Sequence, residues 1–324
     1  MGFRPFRPGG FVARGEAIGS KWLVHNYGHG GGGITLSWGS SLLALRNLPD
    51  VGDKRAIVIG CGVMGLTTAR QLQERGFQVI IMARESFEQT TSHIAGGHWA
   101  PTGVWVRREE TSPFEGVLET ALELSHAHFS ALAGRMDGVY WRENYQLADE
   151  PFADSQPFYA TRWPRFFPGR RVLATDEHPF PHRHVLTYQS LFIEPPAYLK
   201  ALWNAFTAAG GRMRQHEVRS IEEVMARDVP LIANCTGLGA RDLFGDTELV
   251  PVRGQILLLD PDERIDFNTH GGGEGLLYMF PRRDGILLGG SFERGATQRE
   301  ADPALSERIL GEHARIFAGM RGVS

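Results

Sequence analysis

The alternation of apolar and polar positions predicts two short strands at 11–18 (FVARGEAI) and 21–27 (KWLVHNY), with a turn around Gly19 and Ser20 between them. A glycine-rich stretch follows, then a helix over about 35–46 that is stopped by Pro49 and Gly52. The run RAIVI at 55–59 is continuously apolar, as strands buried on both faces of a parallel sheet are. Residues 64–75 have helical periodicity and stop at Gly76, and 77–82 is a second buried strand. Together these form a strand, glycine turn, helix and strand unit.

An amphipathic helix is predicted over 113–132, where Val117, Ala121, Leu122, Leu124, Phe129 and Leu132 lie on one broad face. The segment 139–193 holds strand-like runs such as YWRENYQLA and VLTYQSLFIEP among Trp, Tyr, Phe and Pro, and reads as a β-rich insertion with long connections. After it come a helix at 196–209, a strand at 212–218 and the buried strand VPLIANCTG entering a glycine turn. Strands at 255–260, 275–280 and 286–291 precede a closing helix at 303–317. No repeat or low-complexity tract interrupts the pattern.

A chain of 324 residues exceeds the usual size of one hydrophobic core, so two domains are expected. A net charge of -3 gives no electrostatic reason to expect nucleic acid or an anionic membrane as partner. No apolar run reaches the roughly 18 residues of a membrane span, and MGFRPFRPGG does not resemble a signal peptide. A soluble, cytoplasmic protein acting on a small molecule is the expectation, although a leader removed beforehand would leave no trace. Cys61 and Cys235 are too few for a disulfide framework and lack zinc-site spacing, so each reads as a small buried residue.

The chemistry concentrates in glycine loops. Gly60, Gly62 and Gly65 form GxGxxG directly after a predicted strand and at a helix start, as a dinucleotide pyrophosphate requires. The N–H groups and dipole of that helix start favour phosphate. Along FQVIIMARE the expected ribose-binding acid falls on Ala83, a departure. Arg84 can instead meet the ribose or adenine, or Glu85 can reach back; as ordinary surface charges they would do neither.

A nicotinamide enzyme would not need the rest. TTSHIAGGHWAP, at 90–101, supplies hydroxyls and small residues suited to a second phosphate and a flat ring, and NCTGLGA adds another strand end with a glycine turn. The loop before the first helix, YGHGGGG, has five glycines in six residues and presents a second helix N-terminus. Two helix N-termini suit a ligand with two distant electron-rich ends, and FAD has that form.

At this point the sequence resembles the D-amino acid oxidase family of FAD enzymes. The likeness is carried by VIGCGVMGLTTA, TTSHIAGGHWAP, EVRSIEEVMARDVPLIANCTG, VRGQILLLD, YMFPRRDGILLGG, GFRPFRP and HNYGHGGGGITLSWG. In the usual family order the last two come after the helix that follows LGG; here they come first. The resemblance therefore implies a circularly permuted chain, with 45–54 as the linker between the old ends. The implied fold is α/β: a Rossmann-type FAD-binding domain from 20–105 and 191–245, and a β-rich α+β substrate domain from 1–19, 106–190 and 246–324.

The resemblance also implies roles. Arg4 would anchor the substrate carboxylate through a planar bidentate pair, Tyr278 would assist it, and the Gly31 carbonyl would receive the substrate amine. FAD would lie against Gly60, Gly62, Val63, Met64 and Gly65, with Ala83, Arg84 and Val218 at adenosine, and Thr90, Thr91, Ser92 and Thr236 along its length. Its ring would lie between Gly97, His98 and Trp99 on one edge and Gly30, Gly31, Gly32, Gly33, Ile34 and Thr35 on the other. His98 and Phe280 correspond to positions lining the side-chain pocket, though each also suits plain packing, as Val218 suits a core. HGGGEGLL is shorter than the family's active-site lid. The implied reaction is oxidative deamination of a D-amino acid by hydride transfer to FAD, with molecular oxygen as acceptor. The alternatives are oxidation of glycine, sarcosine or another secondary amine, or an amino acid dehydrogenase, on the same fold. His178, His182 and His184 read as surface-loop histidines, since the prolines among them prevent a regular ligand face; no metal site is expected.

Overall fold

The computed structural model describes residues 1–104, 113–152 and 158–321. In chain order the elements are β1 (Gly2–Phe6), β2 (Val12–Ile18), β3 (Lys21–Tyr27), α1 (Gly33–Ala44), β4 (Arg55–Ile59), α2 (Val63–Glu74) and β5 (Gln78–Ala83). Then come α3 (Pro113–Leu132), β6 (Val139–Ala148), α4 (Phe158–Arg162), β7 (Arg171–Leu173), β8 (His184–Ile193), α5 (Pro195–Ala208) and β9 (Arg212–Gln215). The remainder is α6 (Ile221–Met225), β10 (Leu231–Asn234), α7 (Ala240–Phe244), β11 (Val250–Gly254), β12 (Ile256–Leu259), β13 (Phe267–Gly271), β14 (Tyr278–Arg282), β15 (Gly285–Gly289), β16 (Glu293–Arg294) and α8 (Pro303–Ala318).

One sheet has the order β2-β3-β10-β4-β5-β9 and is parallel from β3 to β9. Its central strands, RAIVI and LIAN, are almost wholly buried, as expected for a sheet covered on both faces. Helices α1, α2 and α5 pack together on one face, and Val224 of α6 covers the other. Buried Asn26 of β3 joins this layer by donating to Ser41 Oγ on α1 at 2.9 Å and to Thr68 Oγ1 on α2 at 3.1 Å.

The second large sheet, β12-β15-β14-β13-β6-β8-β7, is mixed, because β13 runs parallel to β6 while its other pairs are antiparallel. A small sheet, β1-β11-β16, bridges toward the first. Strand β2 was expected with the substrate unit, but it hydrogen-bonds along its whole length to β3 in the parallel sheet. Residues 191–193 depart the other way: they finish β8 of the mixed sheet. Residues 105–112, 153–157 and 322–324, which apart from 105 belong to the predicted substrate unit, lie outside the described residues.

His178 and His182 are buried, contrary to the surface-loop expectation, because Phe180 between them inserts into a small core with Phe267 and Ile316. His182 Nε2 lies 2.8 Å from the Gly272 carbonyl and so donates to it. Among the described residues, no helix is long and apolar enough to cross a membrane.

Helices α1 and α3 meet at Gly39, whose N–H donates to Ser125 Oγ at 2.8 Å. A Cβ there would stand 2.1 Å from the Ala121 carbonyl oxygen, part of the helix backbone. Gly39→Ala is therefore expected to destabilise the protein by about 3 kcal/mol through overpacking. Equilibrium urea unfolding should register the loss as a lower midpoint at unchanged slope.

Candidate active site

The first glycine turn is set by backbone geometry. Gly60 leaves β4 with φ of +106°, a conformation glycine adopts without strain. Gly65, on the first turn of α2, lies against it: a Cβ on Gly65 would sit 2.0 Å from Gly60 O. This close contact brings the start of α2 down on the carboxyl edge of the sheet. The Val63 N–H donates to Ser92 Oγ at 3.1 Å, and later N–H groups of the first turn have no acceptor within the helix.

Helix α1 starts beside the second glycine loop. Gly31 N–H donates to the Gly103 carbonyl at 3.2 Å and Gly32 N–H to the His29 carbonyl at 3.0 Å, which folds the loop into a tight turn before Gly33. The Thr35 hydroxyl donates to the Ala100 carbonyl and accepts the Ala100 N–H, both at 3.0 Å, tying α1 to the segment at 90–104. His29 is buried, stacks on Phe11 with centroids 4.5 Å apart, and burial pushes its imidazole down to about 3.

A cavity of 1790 Å³ runs between these helix starts. Gly62, Val63, Met64, Arg84, Thr90, Thr91 and Ser92 border one part of it. Gly30, Gly31, Gly33, Ile34, Thr35, Gly97 and His98 border the rest, together with Arg4, Tyr278 and Phe280. Most of the residues singled out in the sequence thus meet around one space. Gly60 and Gly65 lie outside the lining and shape the turn.

Several others stand apart from the lining. Gly32 turns its space toward Val104, and Ala83 is buried with its carbonyl accepting the His216 N–H at 2.8 Å. Trp99, expected at the ring edge, is fully buried against Phe166 and Phe167, and its backbone N–H donates to the Leu191 carbonyl. Val218 lies beyond the end of β9, packed on the cluster of Leu23, Ile57 and Met82. The Thr236 hydroxyl is taken by Asn234 Oδ1 at 2.7 Å, while its neighbour Cys235 borders the cavity.

Arg4 and Tyr278 are brought together by strand pairing. Strand β1 pairs with β11, setting Arg4 opposite Val252, and β14 pairs with β15, setting Tyr278 opposite Gly289. The glycines of VRG and LGG make room for the two side chains. A Cβ on Gly254 would stand 2.5 Å from Arg4 Nη1, and one on Gly289 would stand 1.9 Å from Tyr278 Cζ. Arg4 Nη1 donates to the Ser291 carbonyl at 3.2 Å, and its guanidinium lies 5.8 Å from the Phe292 ring. Burial pushes the Tyr278 phenol up, while the charge and hydrogen bonding of Arg4 pull it back down.

The cavity also has walls that sequence reasoning missed, among them Gln146, Tyr159 and His270. His270 lies on β13, where FNTHG offers little apolar alternation and runs straight into glycines, so no strand was predicted. The stretch HGGGEGLL is the end of β13 and its hairpin connection to β14, with Gly271 N–H donating to the Leu277 carbonyl.

One cavity served by two helix starts suits a flavin dinucleotide, which has electron-rich groups at both ends. Comparison with known proteins agrees: residues 55–324 match the model of the family described as FAD dependent oxidoreductase, and the chain belongs to that family. It is 34% identical over 270 residues to a D-amino-acid oxidase of Rubrobacter xylanophilus, covering 83% of this chain and 78% of that one. A D-amino-acid oxidase of Streptomyces coelicolor is 31% identical over 279 residues, covering 85% and 81%. Among solved structures, glycine oxidase from Geobacillus kaustophilus superposes with a TM-score of 0.65 at 20% identity, covering 81% of this chain and 78% of that one, which speaks to the fold alone.

Proposed function

We propose that the protein oxidatively deaminates a D-amino acid, giving a 2-oxo acid, ammonia and hydrogen peroxide. The observation that carries this reading is the Arg4–Tyr278 pair, set beside the Gly30–Gly33 turn on one cavity. The names of the Rubrobacter and Streptomyces relatives support it. Bound FAD would supply the hydride acceptor and return the electrons to oxygen. The residues that fit it are the close-packed turn of Gly60 and Gly65, the open first turn of α2, and the start of α1. There a positive helix end would favour the anionic reduced ring.

The chain's own groups bind and orient. Arg4 and the Tyr278 hydroxyl would hold the carboxylate, and the Gly31 carbonyl would accept from the neutral amine, so the α-hydrogen is presented without a protein base. The other assignments along FAD, from Thr90, Thr91 and Ser92 to Ala83, Arg84, Val218 and Thr236, belong to the same proposal, as does a cytoplasmic location.

The two sheets are read as the cores of the FAD-binding and substrate domains. The segment order is read as a circular permutation. In support, β2 and β3 lie outside the matched region 55–324, yet β3 pairs directly with β10 inside it.

Anaerobic mixing of the flavin-loaded protein with pools of D- and of L-amino acids tests cofactor, reaction and chirality together. Bleaching is expected with the D pool alone. Bleaching only by glycine or sarcosine would move the assignment to the secondary-amine reaction, and a bleached protein that reduces a dye but not oxygen would make it a dehydrogenase.

A further inference from the structure

Past the Arg4–Tyr278 pair the cavity continues into a pocket that the deamination chemistry leaves unexplained. Tyr278 stacks on Phe280 with centroids 4.8 Å apart. Phe280 in turn meets two imidazoles, His98 at 5.6 Å and His270 at 5.3 Å, which are 4.7 Å from each other. An amino acid held by its carboxylate at Arg4 can run its side chain along Phe280 to these rings. Gln146 and Tyr159 border the same space.

Hydrogen bonding settles the state of His270. Asn144 Nδ2 donates to the Arg142 carbonyl at 2.9 Å and to Ser190 Oγ at 2.8 Å, so Oδ1 is the acceptor of that amide. Oδ1 receives Asn268 Nδ2 at 2.9 Å and lies 3.2 Å from His270 Nε2, which must therefore carry the proton. Burial pushes His270 down to about 3, so the ring is neutral and Nδ1 keeps its lone pair. His98 is held neutral in the same way, with the neighbouring His270 adding to the effect, and its Nε2 is turned away from the cavity, without a hydrogen-bond partner among the described residues. No carboxylate or cationic side chain acts on either ring among the described residues.

We propose that His98 and His270 form the end wall of the substrate side-chain pocket and select an amino acid whose side chain ends in an uncharged hydrogen-bond donor, a carboxamide being the best match. The inference rests on the amino acid oxidase reading above. An aliphatic side chain would leave the His270 lone pair desolvated and unpaired. A carboxylate would place its own lone pairs against that of His270 with no cation to offset them. A carboxamide offers a donor to His270.

The test compares D-asparagine with D-leucine and D-glutamine with D-methionine, pairs of similar volume, by kcat/KM and by anaerobic titration of the flavin spectrum. The native protein should favour the amide of each pair by about tenfold or more, and D-aspartate should fall below D-asparagine. His270→Phe should bring the ratio to unity or below with FAD content retained. His270→Gln, which keeps an acceptor, should preserve most of the preference and guards against a merely unfolded variant. No amide preference in the native protein, or an unchanged ratio in His270→Phe, would overturn the assignment. Titration reads binding without turnover, so an amide preference with no bleaching supports the pocket and sinks the oxidase reading.

Discussion

Replacing Arg4 by alanine is expected to raise KM for the amino acid by about 100-fold or more while FAD remains bound. The guanidinium is suited to a carboxylate, and it lies within reach of Tyr278 and over Gly254, where a side chain would collide with it. Removing it would leave a carboxylate in a partly desolvated cavity beside Tyr278 alone, a loss of about 3 kcal/mol. Arg4→Lys should recover only part of this, because a point charge cannot reproduce two parallel N–H···O bonds. FAD content and thermal stability are the controls, since Arg4 also donates to the Ser291 carbonyl. An unchanged KM in Arg4→Ala would remove Arg4 from the site.

What could be read from the sequence was what local patterning dictates. The boundaries of β2, β3, β4, α2, α3 and α8 fall within a residue or so of those expected, because each carries its own periodicity and a glycine, proline or capping stop. Strand β1 was not foreseen as a strand: GFRPF has two apolar side chains and a proline, and it is held by pairing with β11, far away in sequence. Strand β13 was missed for the same reason, and with it His270.

The glycine loops were legible as chemistry because their residue types leave few other uses. Which neighbours face the cavity was less so. Trp99 sits one residue after cavity-lining His98, and the extended backbone there sends consecutive side chains to opposite sides. The resemblance implied a stretch of ligand contacts, and the β-bridge between His98 and Phe192 decides which of its members face the cavity. Likewise the roles of VRG and LGG emerge only once Arg4 and Tyr278 are seen resting on Gly254 and Gly289.

Gly65→Val and Gly62→Ala should both yield protein poor in flavin, by different routes. At Gly65 the added carbon would meet the Gly60 carbonyl oxygen at 2.0 Å. Backbone lies on both sides of that contact, so neither side can yield without lifting α2 off the sheet. A loss of about 3 kcal/mol or more follows, and the protein should melt early even when compared with the native protein stripped of FAD. At Gly62 the nearest atom to an added Cβ is Ser92 Oγ at 3.2 Å, the end of a small side chain that can rotate, and the backbone is extended at φ of -74°. Gly62→Ala should therefore fold with near-native stability in the absence of FAD. Yet the methyl would stand at the first N–H groups of α2, the proposed place of the pyrophosphate, and should weaken FAD binding by about tenfold or more, equivalent to about 1.4 kcal/mol. Flavin content after dialysis against graded FAD, with melting temperatures of the stripped proteins alongside, separates the two. If Gly62→Ala retained native FAD affinity, the start of α2 would no longer be assigned to the pyrophosphate, and the cofactor would have to lie elsewhere along the cavity.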